Sequence, residues 1–305
     1  SPRSKHHTYN HDNGGILTFD KNSNYLMNHK PALWNKEFFL KYLKPGENAW
    51  VNEIEATKRI RKDGNSDEIA LVLLPGVNYY TGQWLDILNL GEVCTKYDVV
   101  LGLDLAHAVG NVPLHLHEHG IDFAVWCTYK YMNGGPGSIA GAFIHEKHHS
   151  DKSIPKLKGW WGHNKETRFK MPDEFVPLNT VEAWQLSNPP ILPMASLRAS
   201  LELFEEAGME ALRKKSLDLS GYLLFLLDQI ESDDINIITP TNDEERGCQV
   251  SIQMKGADKA VFDRITEKGV IADWREPDVI RVAPVPLYNS FEDVYNMVER
   301  LKSIL

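Results

Sequence analysis

Unbroken apolar runs, separated by helical or looped connections, dominate the chain between about residues 66 and 150. Such a run is typical of a strand buried on both faces of a sheet, because neither face meets water. A helix is predicted at 83–96, between the first two runs. This alternation predicts an α/β architecture with a mainly parallel central sheet. The four predicted strands lie at 69–74, 99–105, 121–127 and 138–144.

The pattern changes after residue 150. Residues 150–193 are predicted to be rich in loops, and residues 194–231 to form a long helix that breaks near Gly208. The last part alternates short strands with helices, which predicts a separate, smaller C-terminal α+β domain. Its strands are predicted at 235–238, 249–254, 270–272 and 279–283, and its helices at 258–268 and 291–303.

The signal before residue 66 is weak, with a short strand predicted at 14–20 and short helices at 34–43 and 52–62. Residues 1–13 are polar and lack the apolar stretch of a secretory signal. We therefore expect three parts in the chain. They are an unrecognised or truncated N-terminal segment at 1–65, a large α/β domain at 66–193, and a long helix with a small α+β domain at 194–305.

The composition narrows the class of protein. Of 305 residues, 42% are hydrophobic and 25% are charged, as in an ordinary globular chain, and no run approaches the roughly 18 apolar residues of a membrane span. A net charge of −9 argues against nucleic-acid and anionic-membrane partners. The three cysteines are scattered, which predicts neither a disulfide framework nor a cysteine zinc site and favours the cytoplasm.

The candidate chemistry lies where two predicted strands end. The strand at 99–105 places Asp104 near its carboxyl end, and His107 follows three residues later. The strand at 121–127 runs into Tyr129 and Lys130, and then into the glycine-rich stretch at 133–137. Ligands of open α/β sheets bind outside the carboxyl ends of the strands, so a site is predicted here.

One cofactor can bind to both Asp104 and Lys130. A buried carboxylate needs a partner, and a lysine in an apolar setting becomes a nucleophile as its pKa falls. Pyridoxal 5'-phosphate (PLP) offers an aldehyde to Lys130 and a pyridinium nitrogen to Asp104, while the Tyr129 hydroxyl suits a phosphate oxygen. The residues alone leave structural alternatives open, with Asp104 as a helix cap and Lys130 as a solvated side chain.

Several long segments resemble the kynureninase family of fold type I PLP enzymes, over about residues 66–305. Members of this family hydrolyse a carbon–carbon bond. The segments that carry the resemblance are GLDLAHAVGN (102–111), DFAVWCTYKYMNGGPGSIAGAFIHEKH (122–148), GWWGHNKETRF (159–169), QLSNPPIL (185–192) and IRVAPVPLYNSF (280–291).

The resemblance implies roles for the residues at matching positions. Lys130 forms the internal Schiff base and takes the substrate α-proton. Asp104 holds the pyridine nitrogen and stabilises the protonated ring. His107 lies beside the ring, and Tyr129 contacts the phosphate as part of the catalytic set.

Further residues are implied on the substrate side. Trp160 and Asn188 match positions at the cofactor and substrate, and in a homodimer they serve the site of the other copy. Arg281 binds the substrate α-carboxylate through two parallel hydrogen bonds. His163 is a candidate near the aryl end of the substrate.

The implied reaction is the hydrolysis of L-kynurenine to anthranilate and L-alanine, and of 3-hydroxykynurenine to 3-hydroxyanthranilate. Its place is tryptophan catabolism and NAD biosynthesis. A small-molecule substrate, a homodimer and a cytoplasmic location follow from the same resemblance, with no nucleic-acid or membrane partner.

The front of the chain departs from the family pattern. Family members carry a phosphate-binding loop, a ring-stacking aromatic residue and an F-P-x-D stretch in this region, and residues 1–65 show none that is recognisable. Pro75 also stands where some members place a hydroxyl residue. We therefore expect a truncated or rearranged kynureninase with weakened PLP binding. The alternatives are an inactive scaffold and another fold type I enzyme, such as a cysteine desulfurase.

Two histidine clusters suggest metals instead. His145 to His149 fits H-E-x-x-H, the pattern of zinc proteases, in which both histidines share one face of a helix. Here the pattern follows a predicted strand and a proline comes soon after it, so a solvated turn is the expected structure. The stretch at 115–119 is expected to be an exposed turn as well. We therefore predict no metal site.

Overall fold

The computed structural model describes residues 71–305, together with Arg59 and Lys62. The strand and helices predicted at 14–20, 34–43 and 52–62, like the segment 1–65 as a whole, therefore lie outside the described residues apart from those two positions. In the described range, four strands form one sheet in the order β1-β2-β3-β4. They are Leu71–Pro75 (β1), Val100–Asp104 (β2), Phe123–Trp126 (β3) and Gly141–Ile144 (β4).

The sheet is mixed rather than wholly parallel. Strands β2 and β3 run in the same direction, since Asp122 N–H donates to Leu101 O (3.1 Å) at one end and Leu105 N–H to Val125 O (2.9 Å) at the other. Strand β4 is antiparallel to β3. The predicted α/β fold class is confirmed, with β4 reversed relative to β3.

The fourth strand is shorter than predicted because the residues before it bond elsewhere. The hydroxyl of buried Thr128 lies 2.6 Å from Ser138 Oγ and donates to Ile139 O at 2.5 Å. These contacts hold residues 138 and 139 in a loop, and the ladder with β3 begins only at Gly141.

The described residues fall into two compact units. The larger comprises Pro75–Leu85, Leu103–Leu116 and Phe123–Leu305. Among the described residues, the smaller comprises 71–74, with Asp86–Gly102 and His117–Asp122. The smaller unit contains helix α1 (Ile87–Lys96), which begins where the Asp86 carboxylate accepts a hydrogen bond from Asn89 N–H. The three-part division expected from the sequence stays a prediction.

The C-terminal part of the larger unit contains a second four-stranded sheet. Its order is β5-β6-β8-β7, and each neighbouring pair is antiparallel. Helices α2 and α3 meet at Gly208, where the predicted break is confirmed. The elements are α2 (Ile191–Ala207), α3 (Met209–Asp228), β5 (Ile235–Ile237), β6 (Val250–Met254), α4 (Lys259–Glu267), β7 (Asp273–Arg275), β8 (Val279–Val282) and α5 (Phe291–Lys302).

The predicted strand at 270–272 is wrong, because the strand lies at β7. Val270 instead follows the end of α4, where its N–H donates to Ile265 O and its side chain is buried in the core. Ile271 is 99% exposed. Two consecutive apolar residues after a helix were therefore misread in the sequence as part of a strand.

One apolar core holds this sheet and its helices together. The apolar stripe of α3 packs on one face of the sheet with α4 and α5, at the helical spacing of Leu219, Leu223 and Leu226. Ile280 and Val282 of β8 project into that core. Since successive side chains of a strand alternate between faces, Arg281 projects from the opposite face. None of the helices within 71–305 has an apolar stretch long enough to cross a bilayer.

Candidate cofactor and substrate site

Four of the predicted site residues line one cavity inside the larger unit. Its volume is about 620 Å³, within the roughly 300–1,000 Å³ that is typical of small-molecule sites. The four are Asp104, His107, Lys130 and Arg281. They come from the ends of β2 and β3 and from β8, so the sheet edge predicted from the sequence and the C-terminal sheet contribute to the same cavity.

Asp104 is the last residue of β2, and its backbone is fixed on both sides. Gly76 N–H donates to Asp104 O, and the next residue, Leu105, donates to β3, both at 2.9 Å. One carboxylate oxygen accepts the Ala106 N–H at 2.9 Å, which begins the turn after the strand. The carboxylate is exposed at the cavity and has further lone pairs for a ligand.

His107 stands between two tyrosine rings, 6.5 Å from that of Tyr79 and 6.0 Å from that of Tyr131. Burial, and then the positive charges of Lys130 and Arg281, lower the pKa of His107 to about 4. The imidazole is therefore neutral at neutral pH. Its Nδ1 is buried and has no hydrogen-bond partner among the described residues.

Lys130 follows β3 in a loop that is fastened from two sides. Within the loop, Asn133 N–H donates to Lys130 O at 3.0 Å, with Asn133 at a φ of 52°. From α2, Ser196 and Ser200 donate to the carbonyls of Gly134 (3.1 Å) and Met132 (2.5 Å). These bonds hold the Lys130 backbone in place while its half-buried side chain faces the cavity.

Tyr129 lies beside Lys130 but is not among the residues that line the cavity. Its side chain is 55% exposed, and the Lys130 ammonium lies 5.5 Å from its ring centre. The Cys127 thiol, which is hydrogen-bonded to the phenol, raises the pKa of Tyr129. The phenol is thus protonated and able to donate at neutral pH.

Arg281 is 8% exposed and held at both terminal nitrogens. Its Nη1 donates to the carbonyl of Tyr79, and its Nη2 donates to Asp273 Oδ2 at 2.5 Å. The same carboxylate oxygen accepts from Arg275 Nη2 at 2.9 Å. Asp273, Arg275 and Tyr79 all line the cavity.

These three residues were not found from the sequence. Asp273 and Arg275 are two apart on β7, so their side chains share one face, and Asp273 is paired directly with Arg281 of β8. The sequence signal that could have identified them is an aspartate and an arginine two residues apart on one strand, paired with an arginine on the next strand. The misplaced strand at 270–272 concealed it.

Trp160 and Asn188 do not line this cavity. Trp160 is 43% exposed and lies edge-on to Trp161 at 5.2 Å, with the Arg168 guanidinium 5.8 Å from its ring. Asn188 is exposed and accepts a hydrogen bond from Ser187 Oγ at 3.2 Å. The described chain therefore does not bring these two residues to the cavity by itself.

His163 is buried in its own segment and does not line the cavity either. Val176 N–H donates to its Nδ1 at 3.2 Å, so the proton of a neutral ring is on Nε2 and faces Thr167 Oγ1 at 2.9 Å. Both nitrogens are thus engaged in local structure. Its predicted place near a substrate aryl group stays a prediction.

The histidines of the H-E-x-x-H stretch are also engaged locally. Lys147 N–H donates to His145 Nδ1 at 3.2 Å, and His149 Nε2 donates to Ile144 O at 2.9 Å. The stretch forms a short 3-10 turn, Glu146–His148, rather than an α-helix. Among the residues that the structure describes, no group of three or more side chains is arranged to hold a metal ion.

The residues around the cavity fit PLP. Lys130 provides a primary amine, Asp104 an exposed carboxylate, and His107 an uncharged ring with an unpartnered buried nitrogen. Arg281 keeps donors for an anion on the same cavity. An amine, a carboxylate, a flat neutral ring and a fixed cation are the groups that an aromatic aldehyde with a bound amino acid requires.

Comparisons with known proteins show which enzymes this chain is similar to in sequence. The family model of the kynureninase C-terminal domain matches residues 212–301. The chain is 52% identical over 239 residues to the kynureninase of Flavobacterium psychrophilum, covering 77% of this chain and 56% of that protein. It is 51% identical over 252 residues to the kynureninase of Koribacter versatilis, covering 83% and 59%. The chain thus spans less than two thirds of these relatives.

Solved structures share the fold at low sequence identity. A cysteine desulfurase of Thermococcus onnurineus NA1 has a TM-score of 0.65 and 17% identity, covering 77% of this chain and 59% of that one. A mutant of C-DES with glycine covalently linked to its PLP cofactor has a TM-score of 0.65 and 19% identity, covering 76% and 60%. The predicted fold, and the predicted resemblance over the matched segment, are confirmed.

Proposed function

We propose that this chain, whose matched segment is that of a kynureninase, hydrolyses L-kynurenine to anthranilate and L-alanine with PLP as its cofactor. 3-Hydroxykynurenine gives 3-hydroxyanthranilate by the same route. The observation that carries the proposal is the single cavity lined by Asp104, His107, Lys130 and Arg281. The activity belongs to tryptophan catabolism and NAD biosynthesis.

When bound, PLP supplies an aldehyde that a primary amine attacks and a ring that accepts the electron pair released at the substrate α-carbon. The Lys130 amine would hold that aldehyde, and as a free amine it would serve as the base that takes the substrate α-proton. The Asp104 carboxylate keeps the proton on the ring nitrogen, because a negative charge beside that nitrogen favours its charged form. The Tyr129 phenol donates to the phosphate.

His107 contributes by being uncharged. Its pKa of about 4 leaves the imidazole neutral at working pH. A cation beside the protonated cofactor ring would oppose the charge that Asp104 stabilises, whereas a neutral ring packs against it without this penalty. The lowered pKa therefore suits His107 to a stacking position.

Arg281 holds the substrate α-carboxylate. Its guanidinium is kept in place by Tyr79 and Asp273, and it retains N–H donors for a two-point contact. Arg281 would thereby keep the substrate in place while water is consumed at its γ-carbonyl. The overall reaction would convert L-kynurenine and one water into anthranilate and L-alanine.

A homodimer in the cytoplasm completes the proposal. Trp160 and Asn188 lie outside the cavity of their own chain, and we assign them to the site of the second copy. Several large apolar side chains near them are strongly exposed, which supports an interface there. They are Leu157, Phe169, Met171, Ile191 and Leu192, each between 77% and 86% exposed.

A cysteine desulfurase is not advanced as a second function. The likeness to those enzymes, at 17% identity, extends to the fold alone. The segments around Trp160 and Asn188 resemble kynureninase instead, which favours the kynurenine reaction.

The proposal is tested with the purified chain and PLP. We expect a Schiff-base absorbance on mixing and, after borohydride reduction, one pyridoxyl group on Lys130 by peptide mass analysis. Anthranilate fluorescence then follows turnover of L-kynurenine. Lys130→Ala is the control, and it should lose both the label and the turnover.

Two outcomes count against the proposal. Label on another lysine removes the assignment of Lys130. Equal behaviour of the parent and Lys130→Ala indicates an inactive scaffold that has kept the fold.

A further inference from the structure

We infer that Asp273 is a positioning residue that fixes Arg281 for the substrate carboxylate, and that Arg275 keeps this part of the cavity positively charged. The inference rests on the proposed function, in which Arg281 binds that carboxylate. It assigns a task to Arg275, which the proposed mechanism leaves without a role, and it separates that task from the one of Asp273 on the same strand.

The backbone register brings the groups together. Asp273 and Arg281 are directly paired across β7 and β8, and Arg275 lies two residues from Asp273 on the same face. One oxygen, Asp273 Oδ2, accepts from Arg281 Nη2 at 2.5 Å and from Arg275 Nη2 at 2.9 Å. The carboxylate thus joins two guanidiniums at the wall of the cavity.

Asp273 and the Tyr79 carbonyl lock the plane of the Arg281 guanidinium, because each accepts from a different terminal nitrogen. An arginine side chain has five N–H donors, and two are engaged here, so three remain. One of these is on Nε, which is buried and has no partner among the described residues. Asp273 therefore orients Arg281 without using the two donors that a carboxylate needs.

The charges explain why a second arginine is present. Arg281 is 8% exposed, and a buried guanidinium needs a nearby negative charge. Asp273 alone would cancel the charge of Arg281 and weaken its attraction for an anionic ligand. With Arg275 on the same carboxylate oxygen, the three side chains together carry a net charge of +1, so the cavity wall still attracts a carboxylate.

The test compares two ligands that differ only in the group Arg281 recognises. L-Alanine, the proposed product, has the carboxylate, and L-alaninamide replaces it with a neutral amide of similar shape. Calorimetric binding of both is measured on the chain in the presence of PLP. We expect the parent to prefer the acid by about 100-fold, in the range of a lost charge-assisted bidentate pair.

Asp273→Asn keeps the shape and a carbonyl acceptor but removes the charge. The net charge of the three side chains then rises to +2. We nevertheless expect the preference for the acid to fall at least 10-fold, because a neutral amide binds the Arg281 guanidinium more weakly than a carboxylate does and no longer fixes its orientation. Amide binding and PLP absorbance should stay within about 2-fold of the parent. Arg275→Gln should lower the preference by a smaller factor, about 3-fold. The matched control is Glu276→Gln, which neutralises a carboxylate on the same segment that accepts from Trp274 Nε1 and does not line the cavity.

A double variant separates positioning from a structural role. If Asp273 acts through Arg281, then adding Asp273→Asn to Arg281→Gln leaves the acid preference unchanged, since the group it positions has gone. A structural role instead lowers binding of both ligands and the thermal midpoint in either background, which overturns the inference. If Asp273→Asn does not fold, Asp273→Glu, which keeps the charge on a longer stem, is measured in its place.

The two proposals fail in different ways. If the parent and Asp273→Asn prefer the acid equally, the inference about Asp273 is wrong and the proposed function is unaffected. A parent with no preference for the acid removes the role of Arg281, and with it both proposals.

Discussion

Asn111 ties the turn after β2 to the start of β6 through Cys248. Its side-chain oxygen accepts the backbone N–H of buried Cys248 at 2.9 Å, and its side-chain nitrogen donates to the carbonyl of His107, also at 2.9 Å. Asn111 is itself 4% exposed. A single buried amide therefore connects the backbone beside the cavity to the C-terminal sheet.

Replacing Asn111 with Ala should lower the free energy of unfolding by about 2–3 kcal/mol, because it leaves a buried N–H unsatisfied. The measurement is urea unfolding followed by circular dichroism. Asn236→Ala is the control, since its amide bonds to Gln253 on the exposed side of the sheet and should change stability by less than about 0.5 kcal/mol. Equal losses for the two variants would remove the special role of Asn111.

Gly110 has a φ of 78°, and a Cβ built there lies 2.9 Å from the carbonyl oxygen of Tyr131. Gly110→Ala should therefore lower the free energy of unfolding by more than the roughly 1–2 kcal/mol expected from left-handed backbone strain alone. It should also slow the labelling of Lys130 by PLP. Gly208→Ala is the matched control, because its φ of 76° is similar and no atom lies within 4 Å of the added Cβ. If the free energy of unfolding falls no more for Gly110→Ala than for Gly208→Ala, the backbone at Tyr131 can move to accommodate the added methyl group.

Thr128 bonds with its hydroxyl to Ser138 and Ile139 and is 3% exposed. Thr128→Val keeps its shape and leaves these partners without the hydroxyl, which should lower the free energy of unfolding by about 1–3 kcal/mol. Thr266→Val, which removes an exposed hydroxyl bonded to Phe262 O, is the control and should change it by less than about 0.5 kcal/mol. Proteolysis of the 133–137 loop should accelerate only in Thr128→Val.

The pKa of His107, lowered to about 4 from an ordinary value near 6.5, makes stability depend on pH. Between these values the unfolded chain binds a proton that the folded chain does not. His107 therefore does not lower the free energy of unfolding above about pH 6.5, and it lowers that free energy progressively as the pH drops toward 4.

Comparing unfolding of the parent and His107→Gln at pH 7 and pH 5 should reveal a smaller acid loss in the variant. The titration of the His107 ring by NMR gives the midpoint directly. A midpoint near 6.5 would contradict the neutral role assigned to this residue.

The strands before the site could be predicted because their signal is local. Unbroken apolar runs identify β2 and β3, and the positions of Asp104 and Lys130 at their ends follow from the chain direction. Asp273 could not be found in this way, because its contact with Arg281 depends on the pairing of its strand with another strand six to nine residues further along the chain. Trp160 and Asn188 are identifiable by resemblance, but a sequence does not say which copy of the chain they face.

The order β5-β6-β8-β7 places Arg281 and Asp273 in different mechanical positions. Strand β8 is bonded on both sides, whereas β7 has no outer neighbour among the residues that the structure describes. Edge strands open more readily than central ones, so amide hydrogens of β7 should exchange with solvent faster than those of β8. Arg281, the proposed substrate-binding cation, thus lies on a central strand, whereas Asp273, the carboxylate proposed to orient it, lies on an edge strand that opens more readily.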